Sequence, residues 1–169
     1  MRFSTSIRNR ICARSGRYTL AESAGYSGRP LVEKLGIKAG QRIAIVGAPS
    51  DFAVTLGKLP AGVRRARELR APIDVIVYFV RSGVELTRRL ASAKRALTPA
   101  GMLWICWPKR ASGIETDLND NIVREVGLGA GLVDVKVCAV DAVWSGLKFV
   151  YRLRDRPKAP TPRRARRTR

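Results

Sequence analysis

The stretch from Ile73 to Arg110 constrains the fold of this chain more than any other, because it reads strand, helix, strand and ends on concentrated positive charge. Asp74-Val-Ile-Val-Tyr-Phe-Val80 is apolar at every position after its opening carboxylate, and Val84 to Leu97 carries helical spacing. Met102-Leu-Trp-Ile-Cys-Trp107 is a second unbroken apolar run, followed by Pro108-Lys109-Arg110. A strand with one face in water alternates apolar and polar residues, whereas a run apolar throughout needs cover on both faces, as in a central parallel strand. The segment is therefore a βαβ unit. Ligands of open α/β sheets sit beyond the carboxyl ends of the strands, so the loop from Trp107 to Gly113 falls where a site is expected.

The flanking segments extend this unit into a sheet. Pro30 to Leu35 reads as a short helix begun by Pro and ended by Gly36. Ile43-Ala-Ile-Val-Gly47 is a first strand, broken at Gly47-Ala-Pro-Ser-Asp51, where Ser50 or Asp51 can cap a helix over Phe52 to Leu56. Val63 to Leu69 is crowded by Arg64, Arg65, Arg67 and Arg70 and reads as a short exposed edge strand, where like charge discourages edge-to-edge pairing. Thr116 or Asp117 is expected to cap a helix that runs to about Gly127, with Leu118, Ile122, Val123 and Val126 on one face and Gly127, Gly129 and Gly131 breaking it. Two last strands, Val133 to Val140 and Gly146 to Leu153, are spaced as an antiparallel pair closing one sheet edge. The fold class is α/β, three layers, with a mostly parallel sheet and a C-terminal antiparallel hairpin.

Length and charge divide the chain into a core and two ends. With 169 residues and 46% hydrophobic content, one domain over 25–153 is expected. Of the formal charge of +20, residues 1–24 contribute five Arg against one Glu, and residues 154–169 eight basic residues against one Asp. Both ends read as disordered basic extensions, the second because Pro157, Pro160 and Pro162 exclude regular structure and the Arg163 to Arg169 run repels itself. Basic ends attract phosphates through long-range, salt-sensitive fields, which makes Arg163, Arg164, Arg166 and Arg167 candidates for contact with nucleic acid. Cys12, Cys106 and Cys138 are too widely spaced for a disulfide framework or a metal cluster, and a reducing cytoplasm is the natural setting. No apolar run approaches the length that spans a bilayer, and the first residues lack the apolar stretch of a secretory signal.

Pro72-Ile-Asp-Val-Ile-Val77 before a helix and Leu97-Thr-Pro-Ala-Gly101-Met-Leu-Trp104 after it resemble the back half of the class I S-adenosylmethionine methyltransferase fold, a Rossmann-like scaffold, over roughly Arg42 to Leu153. Gly25-Tyr-Ser-Gly28, Leu35-Gly-Ile-Lys38, Trp107-Pro-Lys109, Ala111-Ser-Gly113, Val135-Lys-Val-Cys-Ala-Val-Asp141 and Trp144-Ser-Gly-Leu147 resemble the small bacterial proteins grouped as domain of unknown function 3052. The methyltransferase resemblance implies a Gly-rich turn after the first strand, where backbone approaches the cofactor, and an acidic residue ending the second strand to hold the ribose hydroxyls. This chain departs from both. Its turn offers Gly47 alone, its second strand offers Glu68 among arginines, and it is short by about one strand-helix unit where the adenosine would rest.

Candidate chemistry is narrowed by the absence of His, which removes the commonest general base and every Ser-His or Cys-His nucleophile. Asp51, Asp74, Asp117 and Asp141 are the acids at element ends. Capping accounts for Asp51 and Asp117, and Asp74 is expected to bond loop backbone near Gly47. The expected ligand site combines Trp107, Lys109, Arg110, Ser112 and Gly113 with Gly47, Ser50 and Asp51, the second group lying beside the first across the sheet. Lys109, Arg110 and Ser112 would surround a phosphate or carboxylate, and Trp107 would stack on a ring. The same residue types also suit a solvated loop with an aromatic core anchor. The leading expectation is a non-catalytic module without a cofactor that binds an anionic small molecule or nucleic acid. The alternative is an S-adenosylmethionine-dependent methyltransferase with an atypical cofactor loop at Gly47 to Asp51, and a third reading is a basic accessory protein displaying its Arg-rich ends.

Overall fold

Uniformly apolar runs become the middle of the sheet, and mixed ones its edges. The computed structural model describes residues 28–70 and 72–157. In chain order these form α1 (Leu31–Lys34), β1 (Arg42–Val46), α2 (Phe52–Leu56), β2 (Arg64–Ala66), β3 (Ile73–Phe79), α3 (Gly83–Ala96), β4 (Leu97–Pro108), α4 (Asp120–Gly129), β5 (Leu132–Ala139) and β6 (Trp144–Tyr151). Single turns of 3-10 helix lie at Arg110–Ser112 and Leu153–Asp155. The second of these gives regular form to residues expected to have none. The Arg163, Arg164, Arg166 and Arg167 candidates, the N-terminal extension and the turn at 25–27 lie outside the described residues.

The sheet has six strands in the order β2-β1-β3-β4-β6-β5. The first four are parallel, β6 runs antiparallel to β4, and β5 antiparallel to β6. Successive residues of β3 point into two different cores. Val75, Val77 and Phe79 pack with Trp104, Cys106 and Trp144 beneath α1 and α2. Ile76 and Tyr78 pack with Leu103, Ile105, Leu147 and Phe149 beneath α3 and α4. Burial of this kind stabilises by roughly 1.5–3 kcal/mol for each large side chain, and the two central strands contribute to both cores at once. The three-layer α/β expectation holds, with β2 as the short Arg-bearing edge.

Several local expectations are corrected. The helix after β4 starts at Asp120, capped by Asn119, whose Oδ1 accepts from the Ile122 N–H at 3.0 Å. Asp117 and Thr116 instead hold the start of α3: Asp117 Oδ1 accepts from the Gly83 N–H at 2.9 Å, and Thr116 Oγ1 donates to the Arg81 carbonyl at 2.7 Å. Gly127 does not break α4 but lies buried inside it. Asp74 bonds at the end of the sheet opposite to Gly47, where Oδ2 accepts from the Arg42 N–H at 2.8 Å and Oδ1 from Thr98 Oγ1 at 3.2 Å. β4 begins five residues early, and its register with β3 jumps between Ile73↔Leu97 and Val75↔Met102.

Candidate functional site at the carboxyl edge of the sheet

The order of the strands picks out a candidate position before any side chain is considered. From β1 the chain passes to β2 on one side, by way of α2, and then to β3 on the other, so the order reverses between β1 and β3. In open α/β sheets ligands sit at such a reversal, beyond the carboxyl ends of the strands, which here is where the Gly47 turn meets the Phe79–Val80 end of β3. Gly47 is exposed and has φ 66, and a Cβ there would lie 2.6 Å from the Phe79 carbonyl oxygen. Only glycine fits, and the turn presents bare backbone.

Ser50 and Asp51 follow on the same turn, both exposed. Asp51 stands immediately before α2, at its N-cap, with φ −86 and ψ −5, but makes no side-chain cap bond, so the expected capping is not formed and its carboxylate faces solvent. At the edge, Ala44 is in register with Ala66, and two residues further on stands Glu68, exposed and 2.8 Å from Arg70 Nε. Glu68 is thus the acid nearest the carboxyl end of β2. On β3, the Tyr78 hydroxyl donates to the Glu85 carbonyl at 3.0 Å. Burial, with help from Glu85 and against Arg89 and Arg88, pushes it up to about 12.

The Trp107 to Gly113 loop is not the direct neighbour of the Gly47 turn, because β3 lies between β1 and β4. Its residue types are spent on structure. Trp107 is buried with the core beneath α3 and α4, so its ring offers no stacking platform. Lys109 Nζ donates to the Asp141 carbonyl at 2.6 Å and its N–H to the Val143 carbonyl at 2.7 Å, clasping the loop between β5 and β6. Ser112 Oγ donates to the Lys109 carbonyl at 2.7 Å and accepts from the Ile114 N–H at 3.3 Å. Gly113 closes the turn with φ 71. Arg110 is exposed and makes no side-chain hydrogen bond or ion pair among the described residues.

Sequence reasoning passed over Lys136 and Lys148. Each is a lone cation inside an apolar terminal strand, and it is the register shift between Asp134 and Lys136, which the strand period does not show, that sets Lys136 opposite Lys148 on one face. A shallow groove of about 510 Å³ between α3 and α4, lined by Leu90, Lys94, Val126 and Tyr151, lies at the opposite edge of the sheet. Its lysine is engaged, Nζ donating to the Ala130 carbonyl at 2.5 Å. Among the described residues no helix is long and apolar enough to cross a membrane.

No family model matches the chain, and no curated protein matches it in sequence. Solved structures do resemble it. A SAM dependent methyltransferase from Aquifex aeolicus superposes with a TM-score of 0.52 at 17% identity, covering 70% of this chain and 86% of that one. A ribosomal protein L11 methylase from Lactobacillus delbrueckii subsp. bulgaricus superposes with a TM-score of 0.51 at 13% identity, covering 72% and 74%. At these identities the likeness is one of fold. The strand order, the closing antiparallel hairpin and these superpositions together give the chain a class I methyltransferase-like, Rossmann-like fold.

Proposed function

We propose that this protein binds an S-adenosyl cofactor in the crevice between β1 and β3 and works as a methyltransferase-type module. The observation that carries the reading is Gly47, a left-handed, solvent-exposed glycine at the reversal of strand order, where close packing on the Phe79 carbonyl admits no side chain and the turn shows bare backbone to solvent. The residues present fit such a group in part: Gly47 supplies the close-approach turn, and Glu68 is the carboxylate in place to accept from ribose hydroxyls. When bound, the cofactor supplies an electrophilic methyl group. Arg64, Arg65 and Arg67 add positive charge along β2, so the neutral thioether S-adenosylhomocysteine binds more tightly than the sulfonium form. The fold of the two superposed enzymes is in keeping with this assignment. The competing reading, an anion site at Lys109 and Ser112, has less support because both side chains are held in internal hydrogen bonds.

Calorimetry and thermal melts of the full chain with S-adenosylhomocysteine and S-adenosylmethionine test the proposal. Ligand at about a hundred times its dissociation constant adds roughly 2.7 kcal/mol, a rise of several degrees for a domain of this size. Glu68→Ala, on an exposed side chain, is expected to weaken binding about tenfold, roughly 1.4 kcal/mol, with the unliganded melt unchanged. No response to either ligand at millimolar concentration would overturn the reading.

A further inference from the structure

The sheet face beneath α1 and α2 is covered over β1, β3 and β4 and over the Trp144 end of β6, but opens at Lys148 on β6 and Lys136 on β5. Trp104 on β4 marks the limit of the cover, with its indole Nε1 donating to the Leu35 carbonyl at the end of α1 at 2.9 Å. Lys148 on β6 is in register with Trp104, and Lys136 on β5 is in register with Lys148, so the two lysines continue the same row onto open surface. Lys34 and Lys38, at the end of α1 and just after it, close the row from the side: Lys136 Nζ donates to the Lys34 carbonyl at 3.4 Å. Burial lowers the Lys148 ammonium below its ordinary range, and Lys136 and Lys38 lower it further.

This arrangement is unfavourable for the protein alone. Like charges directly opposite on neighbouring strands repel, and strands of this kind ordinarily place opposite charges or hydroxyls there. None of the four lysines forms an ion pair among the described residues, where Asp134 is held by Arg124 at 3.0 Å on the α4 side and Glu33 on α1 pairs with none of them. A regular row of cations on a firm sheet, within a chain of charge +20, matches a regular row of phosphates.

We infer that the open face of β5 and β6, with Lys136, Lys148, Lys34 and Lys38, is a docking surface for the phosphate backbone of a nucleic acid. It uses none of the residues at the β1/β3 crevice and stands independently of the cofactor reading. Backbone contact of this type is sequence-tolerant and strongly salt-dependent.

The test is binding of a short random-sequence RNA by the full chain across a salt series, comparing the natural protein with Lys136→Thr/Lys148→Thr and Lys136→Arg/Lys148→Arg. Both variants keep the basic chain ends, so any difference belongs to the sheet face. The Thr pair is expected to bind about tenfold more weakly, with the slope of log K against log salt reduced by about 1.4–1.8 for two lost phosphate contacts. Its melt should be unchanged or higher, since repulsion has been removed and Thr suits a strand. The Arg pair should bind as the natural protein does. Unchanged affinity and slope in the Thr pair would overturn the inference. So would a Thr pair that keeps RNA binding but loses binding to phosphatidylserine vesicles, which would assign the face to an anionic membrane surface instead.

Discussion

Gly127 on α4 sits against the ring of Phe149 on β6, so closely that a Cβ at position 127 would lie 2.2 Å from Cε1 and 2.4 Å from Cζ. The helix tolerates the entropic cost of a glycine, about 0.5–1 kcal/mol, because that glycine lets it lie flat on the sheet. Gly127→Ala is therefore expected to destabilise the fold by about 1–3 kcal/mol through overpacking. Gly129→Ala is expected to do the reverse, adding about 0.4–1 kcal/mol, since nothing lies within 4 Å of its Cβ position. Urea unfolding of the two variants separates packing from helix propensity.

Trp104 joins the sheet to α1 by one buried hydrogen bond. Trp104→Phe keeps an aromatic ring in the core but leaves the Leu35 carbonyl without its indole donor. A loss of about 1–3 kcal/mol is expected from the unsatisfied acceptor, with further cost from the smaller ring. Equal stability of the Phe variant by chemical denaturation would mean that water replaces the indole.

Lys109 acts on the far side of its own loop. Asp141 Oδ1 accepts from the Val143 and Trp144 N–H groups, each at 2.7 Å, and Lys109 holds this turn through the Asp141 carbonyl. Lys109→Met is expected to raise amide hydrogen exchange at Val143 and Trp144 several-fold and to cost about 1 kcal/mol, the usual net value of such a bond. Lys109→Arg should recover only part of it, because a planar guanidinium does not replace a compact ammonium.

The Tyr78 hydroxyl gives a stability change at high pH. Its folded value of about 12 lies above the ordinary 10.0, so the unfolded chain loses this proton first. The resulting stability is fully present below pH 10 and is lost as pH rises toward 12. Tyr78→Phe should flatten the decline of the denaturation midpoint in that window. Absorbance titration should show the Tyr78 phenol ionising later in the native protein than in the unfolded one, as should Tyr151, which burial also raises, and Tyr78→Phe should remove the later of the two phases.

Much of the architecture was legible in the sequence because burial leaves a direct mark on composition. The unbroken runs of β3 and β4 announced strands covered on both faces, the arginines of β2 announced an edge, and the spacing of the last two strands announced a hairpin. What was not legible depended on partners distant in sequence. Asp117 and Thr116 look like caps for the helix that follows them, but they reach back 34 and 35 residues to the start of α3. Gly127 looks like a helix breaker until Phe149 is placed beside it. Of the candidate site, the sequence showed the side chains but not their partners: Gly47 stands at the reversal of strand order, whereas Trp107, Lys109 and Ser112 have the right chemistry for a ligand and use it to close their own loop.

Asp74 binds together three segments far apart in the chain, at Arg42, at its own strand and at Thr98, all at the amino end of the parallel strands. Like the spine of a book, this fixes one margin of the sheet. The opposite margin, where Gly47, Ser50, Asp51 and Glu68 are exposed, has no equivalent tie across β1, β2 and β3 among the described side-chain hydrogen bonds. The polar groups at that open margin are therefore not spent on holding the strands together, and they remain available to whatever meets the sheet there.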